Sequence, residues 1–524
     1  MKIFYGIVSF LAGFSIMTVE LISSRIVAPL IGNSVFTWTS VIGVTLLGLS
    51  VGSWFGGKLA DIAEEKKWHH ALPTVFIVSA FFVSVIPGLA HGFAHVLDSS
   101  VSIEWLNVIL AMGLFFLPAT AIGMIQPMIL KKFAIDFTKI GKEYGSLSAL
   151  WSLGSIIGVF LTGFVFISTI GSSETIYTVA GLLLLVGLVL IVIVYRSERK
   201  DFSSKKIIGL VLFLGVLSVS SVYAENHTKS ISVALYDKET DYFHVRVLDK
   251  YLNGFGDSRL LFLDFDSHSI DSKQISAIFY PEMYPVFKFL KKDLSSTVFI
   301  GAGAYTMPKS FKKAYASSTV SVIELDPAVE QIGKDYFNLG DYDIKTIAGD
   351  ARLTISRSTK KYDLIFNDAF NSFISVPWYL ITKEWDLQAK SKLNPGGIYA
   401  VNFIGSLKGD KSLFTQSVTS TFAEVFPNYY IFTFGTDPTG IQNIVLVGIN
   451  GDAPVAEEKL KDLLVKDKTA PGHVFLADRL FVGDKSFLQS SDVLTDDFAP
   501  TEKLMKPIVE SYFPEYLEWV KTTW

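Results

Sequence analysis

No cysteine occurs among the 524 residues. Disulfides, thiolate metal sites and a cysteine nucleophile are thereby excluded, although the absence identifies no compartment. An excess of charge of one sign is missing too, because 46 Lys and Arg stand against 50 Asp and Glu for a net charge of −4. With the signs interspersed there is no broad basic face, and nucleic acid is not an expected partner. Charged residues are few, at 18%, while half the residues are hydrophobic and mean hydropathy is +0.40. Such a chain exceeds one ordinary domain and is too apolar to be purely soluble. Long apolar runs are absent after residue 224 and crowded before it. Two domains are therefore expected, 1–224 helical and transmembrane and 225–524 of α/β type, the latter opening with a β-hairpin element at 225–290 before a Rossmann-like core at 291–524.

The runs long enough to span a bilayer, which takes about 20 residues, are Ile3–Ile22, Val35–Gly56, Leu72–Phe93, Ile103–Ile122, Leu147–Ile170, Ile176–Tyr195 and Ile207–Ala224. A bundle of about seven helices is predicted. Glu20 and the lack of a small-residue cleavage site argue that the first is a retained helix rather than a signal peptide. Basic residues cluster in alternate linkers, at Lys58, Lys66 and Lys67, at Lys131, Lys132, Lys139 and Lys142, and from Arg196 to Lys206. The positive-inside rule puts those linkers and the N-terminus in the cytoplasm of a bacterial-type inner membrane. If Ile207–Ala224 also crosses, the second domain lies outside, where adenosyl cofactors are not normally supplied. Either that segment stays in the interface or the domain works outside, and both readings stand. Within the spans, Glu20 near Arg25 and a broken-helix pattern around Pro118, Gly123, Gln126 and Pro127 mark polar points. The plainer account is an interfacial ion pair and proline kinks. His91 and His95 read as interfacial histidines, without the further ligands a metal needs.

Beyond Ser230 strand-like runs alternate with turns, Tyr242–Leu248 and Leu260–Asp264 flanking Asn253-Gly254, which predicts an antiparallel element. Strands then alternate with helices: Thr297–Ile300, Val320–Leu325, Ile344–Ala348, Tyr362–Asn367 and Ile398–Phe403, with helices after Met307, at Pro327–Phe337 and at Lys383–Lys392. That order predicts a mainly parallel doubly wound sheet, whose ligand sits beyond the C-terminal strand ends. Gly301 and Gly303 end the first strand, where a missing side chain lets backbone approach a ligand or simply turn. Glu324 ends the second, suited to accept hydrogen bonds from ribose hydroxyls. Asp350 and Ala351 follow the third, with a carboxylate for an adenine amino group. Asp368 follows the fourth, near the reactive end of such a nucleoside. Each carboxylate alone is more simply a helix cap. No third glycine or free helix N-terminus serves a pyrophosphate, so a nucleoside without phosphates fits better than a dinucleotide.

These residues resemble the spermidine synthase family, and more closely its members fused to transmembrane helices. The likeness runs from about Ile231 to Glu502. It rests on Leu263-Asp264, Asp266 to His268, Tyr280-Pro281-Glu282-Met283, Gly301-Ala302-Gly303, Glu324, Gly349-Asp350-Ala351, Asp368, Leu393 to Gly397 and Thr495 to Glu502. Glu20-Leu21, Ser24-Arg25, Pro29, Gly32 and Trp38 are similar to the first-helix pattern of the fused members. The resemblance implies a class I adenosylmethionine-dependent transferase fold and S-adenosylmethionine, or its decarboxylated form, as substrate without a metal. It further implies that Glu324 binds ribose and Asp350 adenine, that His268 belongs to the nucleoside site, and that Tyr280 lines the amine site. Asp368 is then the catalytic carboxylate that orients or deprotonates an attacking amine.

Three departures accompany that likeness. Ala304 stands where the family has an acidic residue that holds the aminopropyl ammonium, Asn371 where it has a second catalytic-loop aspartate, and Ser272-Lys273 near its acidic pair. Four functions remain open. An aminopropyltransferase-like enzyme would release methylthioadenosine. A lyase would let the substrate's own carboxylate attack its γ-carbon, giving homoserine lactone and the same methylthioadenosine. A methyltransferase would release adenosylhomocysteine, and a transporter or sensor would only bind an adenosyl or polyamine ligand. The expected partners are the bilayer, a small adenosyl substrate and a polyamine. A homo-oligomer is compatible with the sequence and not required by it.

Overall fold

The computed structural model describes residues 2–62, 65–94, 101–133, 140–197, 214–216, 218–219, 234–252, 256–264, 266–272, 280–369, 376–452, 455–467, 473–488 and 492–523. Two compact units divide it, Met1–Val233 with Pro514–Trp524 and Ala234–Phe513.

In the first unit the helices are α1 (Lys2–Ile31), α2 (Val35–Ile62), α3 (Glu65–Ser84), α4 (Ile86–Ala94), α5 (Ile103–Gly123), α6 (Ile125–Phe133), α7 (Ile140–Leu161), α8 (Ile167–Ile170) and α9 (Ser172–Ser197). Six helical stretches are long and apolar enough to cross a membrane, and they coincide with the first six expected spans. Most of Ile207–Ala224, the seventh, lies outside the described residues. The expected break near Pro118 to Pro127 narrows to Met124, a helical residue whose N–H still reaches Thr120 O at 3.2 Å. Together α5 and α6 make one candidate span, Ile103–Phe133. Small residues at helix interfaces let backbones approach closely. Gly48, Gly52 and Gly56 recur every four residues along α2. A Cβ at Gly52 would come within 2.1 Å of Thr120 O on α5, and one at Gly154 on α7 within 2.0 Å of Phe10 O on α1. His91 Nδ1 lies 3.0 Å from Pro87 O, and His95 is outside the described residues.

The second unit holds two sheets. β1 (Ala234–Glu239), β2 (His244–Leu252), β3 (Gly256–Leu263) and β4 (Asp266–Ser272) form an antiparallel sheet in that order. This is the expected antiparallel element, although Asn253-Gly254 falls outside the described residues. The larger sheet contains β5 (Ser296–Ile300), β6 (Thr319–Glu324), β7 (Ile344–Ala348), β8 (Tyr362–Asn367), β9 (Leu393–Gly405), β10 (Tyr429–Thr433) and β11 (Gln442–Ile449), in the order β10-β11-β9-β8-β5-β6-β7. β5 to β9 are parallel, whereas β11 runs antiparallel to both β9 and β10. All six residues of β8 and five of the six in β6 are buried, as strands covered on both faces require. The strand expected at Ile398 begins earlier, because Leu393 already pairs with Tyr362 across an irregularity. The order reverses between β5 and β8, and that switch point opens a crevice at their C-terminal ends.

Candidate active site

The crevice is a cleft partly open to solvent. His268 from β4, Gly301, Gly303, Glu324, Asp350, Ala351 and Asp368 all line it. Carboxylates following three strands thus meet in one cavity. Tyr280 reaches the same place from a different element, its hydroxyl donating to Asp368 Oδ2 at 3.0 Å.

Gly301 and Gly303 have φ of +79° and +48°, where an L side chain is strained. A Cβ on Gly301 would lie 2.6 Å from Asp368 O, and one on Gly303 would lie 2.4 Å from Ser269 Oγ. The chain itself therefore makes the close approach that excludes a side chain. Gly301 lets β5 turn directly beneath the Asp368 peptide, whose N–H bonds Ile300 O.

Glu324 is 7% exposed. Oε2 accepts the Ala302 N–H at 3.0 Å and Oε1 the Asp326 N–H at 3.1 Å. Burial outweighs those donors and raises its carboxyl to about 7. Asp326, next along, is the helix cap, accepting from the Ala328 N–H at the head of Pro327–Tyr336. Asp350 does both jobs, since it lines the cleft while Oδ1 caps Ala351–Arg357 through the Leu353 N–H at 2.7 Å. Ala351 begins that helix.

Asp368 is reached by side chains from other elements. Oδ1 accepts from Asn402 Nδ2 at 2.8 Å and Oδ2 from Tyr280. Burial raises it to about 7 despite both donors, and burial with the neighbouring carboxylate holds the Tyr280 hydroxyl well above its ordinary value. A carboxylate poised near neutrality with an open side toward a cleft has the properties of a general base.

Ala304, at the position implied to hold an ammonium, does not line the cleft. It is 1% exposed in the apolar core beside Tyr305 and Met307, and its N–H donates to Ser269 Oγ at 2.8 Å. Asn371 and Lys273 lie outside the described residues. Glu282 is engaged by Ser310 Oγ at 2.8 Å. Among the described residues no group of three His, Cys, Asp or Glu is arranged to hold a metal ion.

Sequence reasoning missed Asn402, Tyr379 and Arg352. Asn402 is a buried amide in a strand of apolar residues, and that incongruity was the available signal. Tyr379 lines the cleft, where burial and then the Asp350 charge raise its hydroxyl. Arg352 grips Asp496 of the Thr495 to Glu502 motif through both terminal nitrogens, tying that motif to the helix Asp350 caps.

No known family profile matches the chain. It is 31% identical over 137 residues to a polyamine aminopropyltransferase of Vibrio vulnificus (strain CMCP6), covering 25% of this chain and 44% of that protein. The chain thus spans less than half the length of that relative. Against polyamine aminopropyltransferase 2 of Aquifex aeolicus (strain VF5), identity is 21% over 410 residues, covering 74% of this chain and 77% of the other. An alignment that long extends beyond the α/β unit into the helical half. Among solved structures, a probable spermidine synthase from Corynebacterium glutamicum ATCC 13032 is similar, at 18% identity and a TM-score of 0.40, over 51% of this chain and 98% of that one. The two polyamine aminopropyltransferases agree with the resemblance drawn from the motifs.

Proposed function

We propose that this is a membrane-bound, aminopropyltransferase-like enzyme that binds an adenosyl substrate and releases methylthioadenosine. One observation carries the reading: Asp368, bonded to Tyr280 and Asn402, opens onto the cleft that Glu324 and Asp350 share. Glu324 would accept the ribose hydroxyls and Asp350, through the oxygen not used in capping, the adenine amino group. Ala351 and His268 line the same nucleoside site. The sulfonium makes the adjacent carbon electrophilic, while an amine with a pKa near 10 is inert until it loses a proton. A carboxylate near neutrality beside it supplies that base, with Tyr280 holding the second oxygen. The names of the relatives support this reaction class.

The cleft itself favours a second reading. Its carboxylates among the described residues are Glu324, Asp350 and Asp368, with none left over for an aminopropyl ammonium, and Ala304 is buried elsewhere. The zwitterionic tail of intact adenosylmethionine needs less countercharge than a cationic one, since an uncompensated buried charge is costly. Its own carboxylate is then a competent intramolecular nucleophile, giving homoserine lactone.

Purified full-length protein incubated with either adenosyl substrate, with and without putrescine, separates the two by mass spectrometry. Methylthioadenosine is expected in both cases. Spermidine in quantity would remove the lyase reading, and adenosylhomocysteine would remove both.

A further inference from the structure

Asn402 is 3% exposed in β9, between Val401 and Phe403. Burying a primary amide there is costly unless both ends are bonded. Its Nδ2 donates to Asp368 Oδ1 at 2.8 Å, and its Oδ1 accepts from Asn443 Nδ2 at 3.2 Å. Register sets Val445 of β11 opposite Asn402, so Asn443 is the diagonal neighbour on the same face of the sheet. With its oxygen occupied by that donor, the Asn402 amide presents N–H rather than C=O to the carboxylate.

We propose that Asn402, oriented by Asn443, is a positioning residue that holds the Asp368 carboxylate opposite Tyr280 with its reactive side toward the cleft. This rests on Asp368 being the base of the proposed reaction. A donor to a carboxylate favours its charged form, and at Asp368 the Asn402 donor is the larger of the two effects that oppose burial. Tyr280 is the titratable group in contact with Asp368, while Glu324 from β6, Asp350 after β7 and His268 from β4 line the same cleft. Without Asn402 the carboxyl would take up its proton at higher pH and be free to rotate away.

The test uses the full chain and the variants Asn402→Leu and Asn443→Leu. In Asn402→Leu, kcat at pH 7 should fall about tenfold and the acid limb of its pH profile should rise by about one unit, with affinity for methylthioadenosine changing less than about twofold. Asn443→Leu should move both readouts in the same direction by less. An unmoved acid limb, or a loss confined to KM and ligand affinity, overturns the proposal. If Asn402→Leu shows no cooperative melting transition it has not folded, and Asn443→Leu then decides by the same criterion. If the unmodified protein turns over no adenosyl substrate, the proposed reaction fails on its own account. Positioning is then read from infrared titration of the Asp368 carboxyl, assigned by difference against Asp368→Asn, and a midpoint that Asn402→Leu leaves in place overturns it.

Discussion

Both halves of the molecule bury polar groups, but they differ in where the partners come from. In the helical unit, several hydroxyls bond one turn back along their own helix: Ser15 to Leu11 O, Ser23 to Val19 O, Ser79 to Val75 O and Thr120 to Phe116 O. A helix always offers that nearby carbonyl. At the strand ends local donors meet only part of the need: Glu324 takes the Asp326 N–H but also reaches Ala302, and Asp368 reaches Tyr280 and Asn402, which are 88 and 34 residues distant. Where several elements must converge to satisfy one carboxylate, geometry is fixed by the whole fold, and that is what chemistry requires.

The most severe way to probe this contrast is Asp368→Asn. A cap would accept the change almost without loss. A base would not, and turnover should drop by about 10² to 10⁴ while methylthioadenosine affinity holds. Paired measurement of kcat and calorimetric affinity checks the split, and a fully active variant would return Asp368 to a structural role.

On the helical side the corresponding breach is Gly52→Leu. Its Cβ would sit 2.1 Å from Thr120 O, so α2 and α5 must separate, at a cost of about 1 to 3 kcal/mol or more. The melting temperature in detergent should fall. Methylthioadenosine affinity should not, because every residue lining the cleft lies within Ala234–Phe513. Unchanged melting would show that close glycine packing contributes little here.

The same contrast explains what was legible in the sequence. Six spans could be read because each is a local run of apolar residues. The parallel core could be read from its strand–helix alternation, and Gly301, Glu324 and Asp368 stood out because each directly follows a buried strand. Tyr280 could be named only through the resemblance, and Asn402 not at all, since nothing near Asp368 in sequence points to either. β10 and β11, which follow after the strand–helix alternation has ended, went unread.

A milder test removes one ligand contact. Glu324→Ala deletes the acceptor proposed for two ribose hydroxyls and should weaken methylthioadenosine binding by about 1 to 3 kcal/mol. Isothermal calorimetry measures it directly, and unchanged affinity would take ribose away from Glu324.

The smallest expected effect is a pH dependence of that same affinity, and its sign follows from burial. Glu324 in the free protein is raised to about 7 because desolvation outweighs the backbone N–H donors. Ribose hydroxyls donating to the carboxylate favour its charged form, so binding should lower the carboxyl and release a proton near neutrality. Above pH 7 the group is already ionised and affinity should be flat. Below pH 7 the ligand must first displace the proton, and affinity should decline by up to about tenfold per pH unit. Asp368 is raised to the same region, so the titration belongs in an Asp368→Asn background, which removes its contribution to the trend. Calorimetry in buffers of different ionisation enthalpy counts the protons released, and Glu324→Gln should abolish both the release and the slope. A slope that survives Glu324→Gln would assign the linkage to a different group in the cleft, with His268 and Asp350 the next to be substituted.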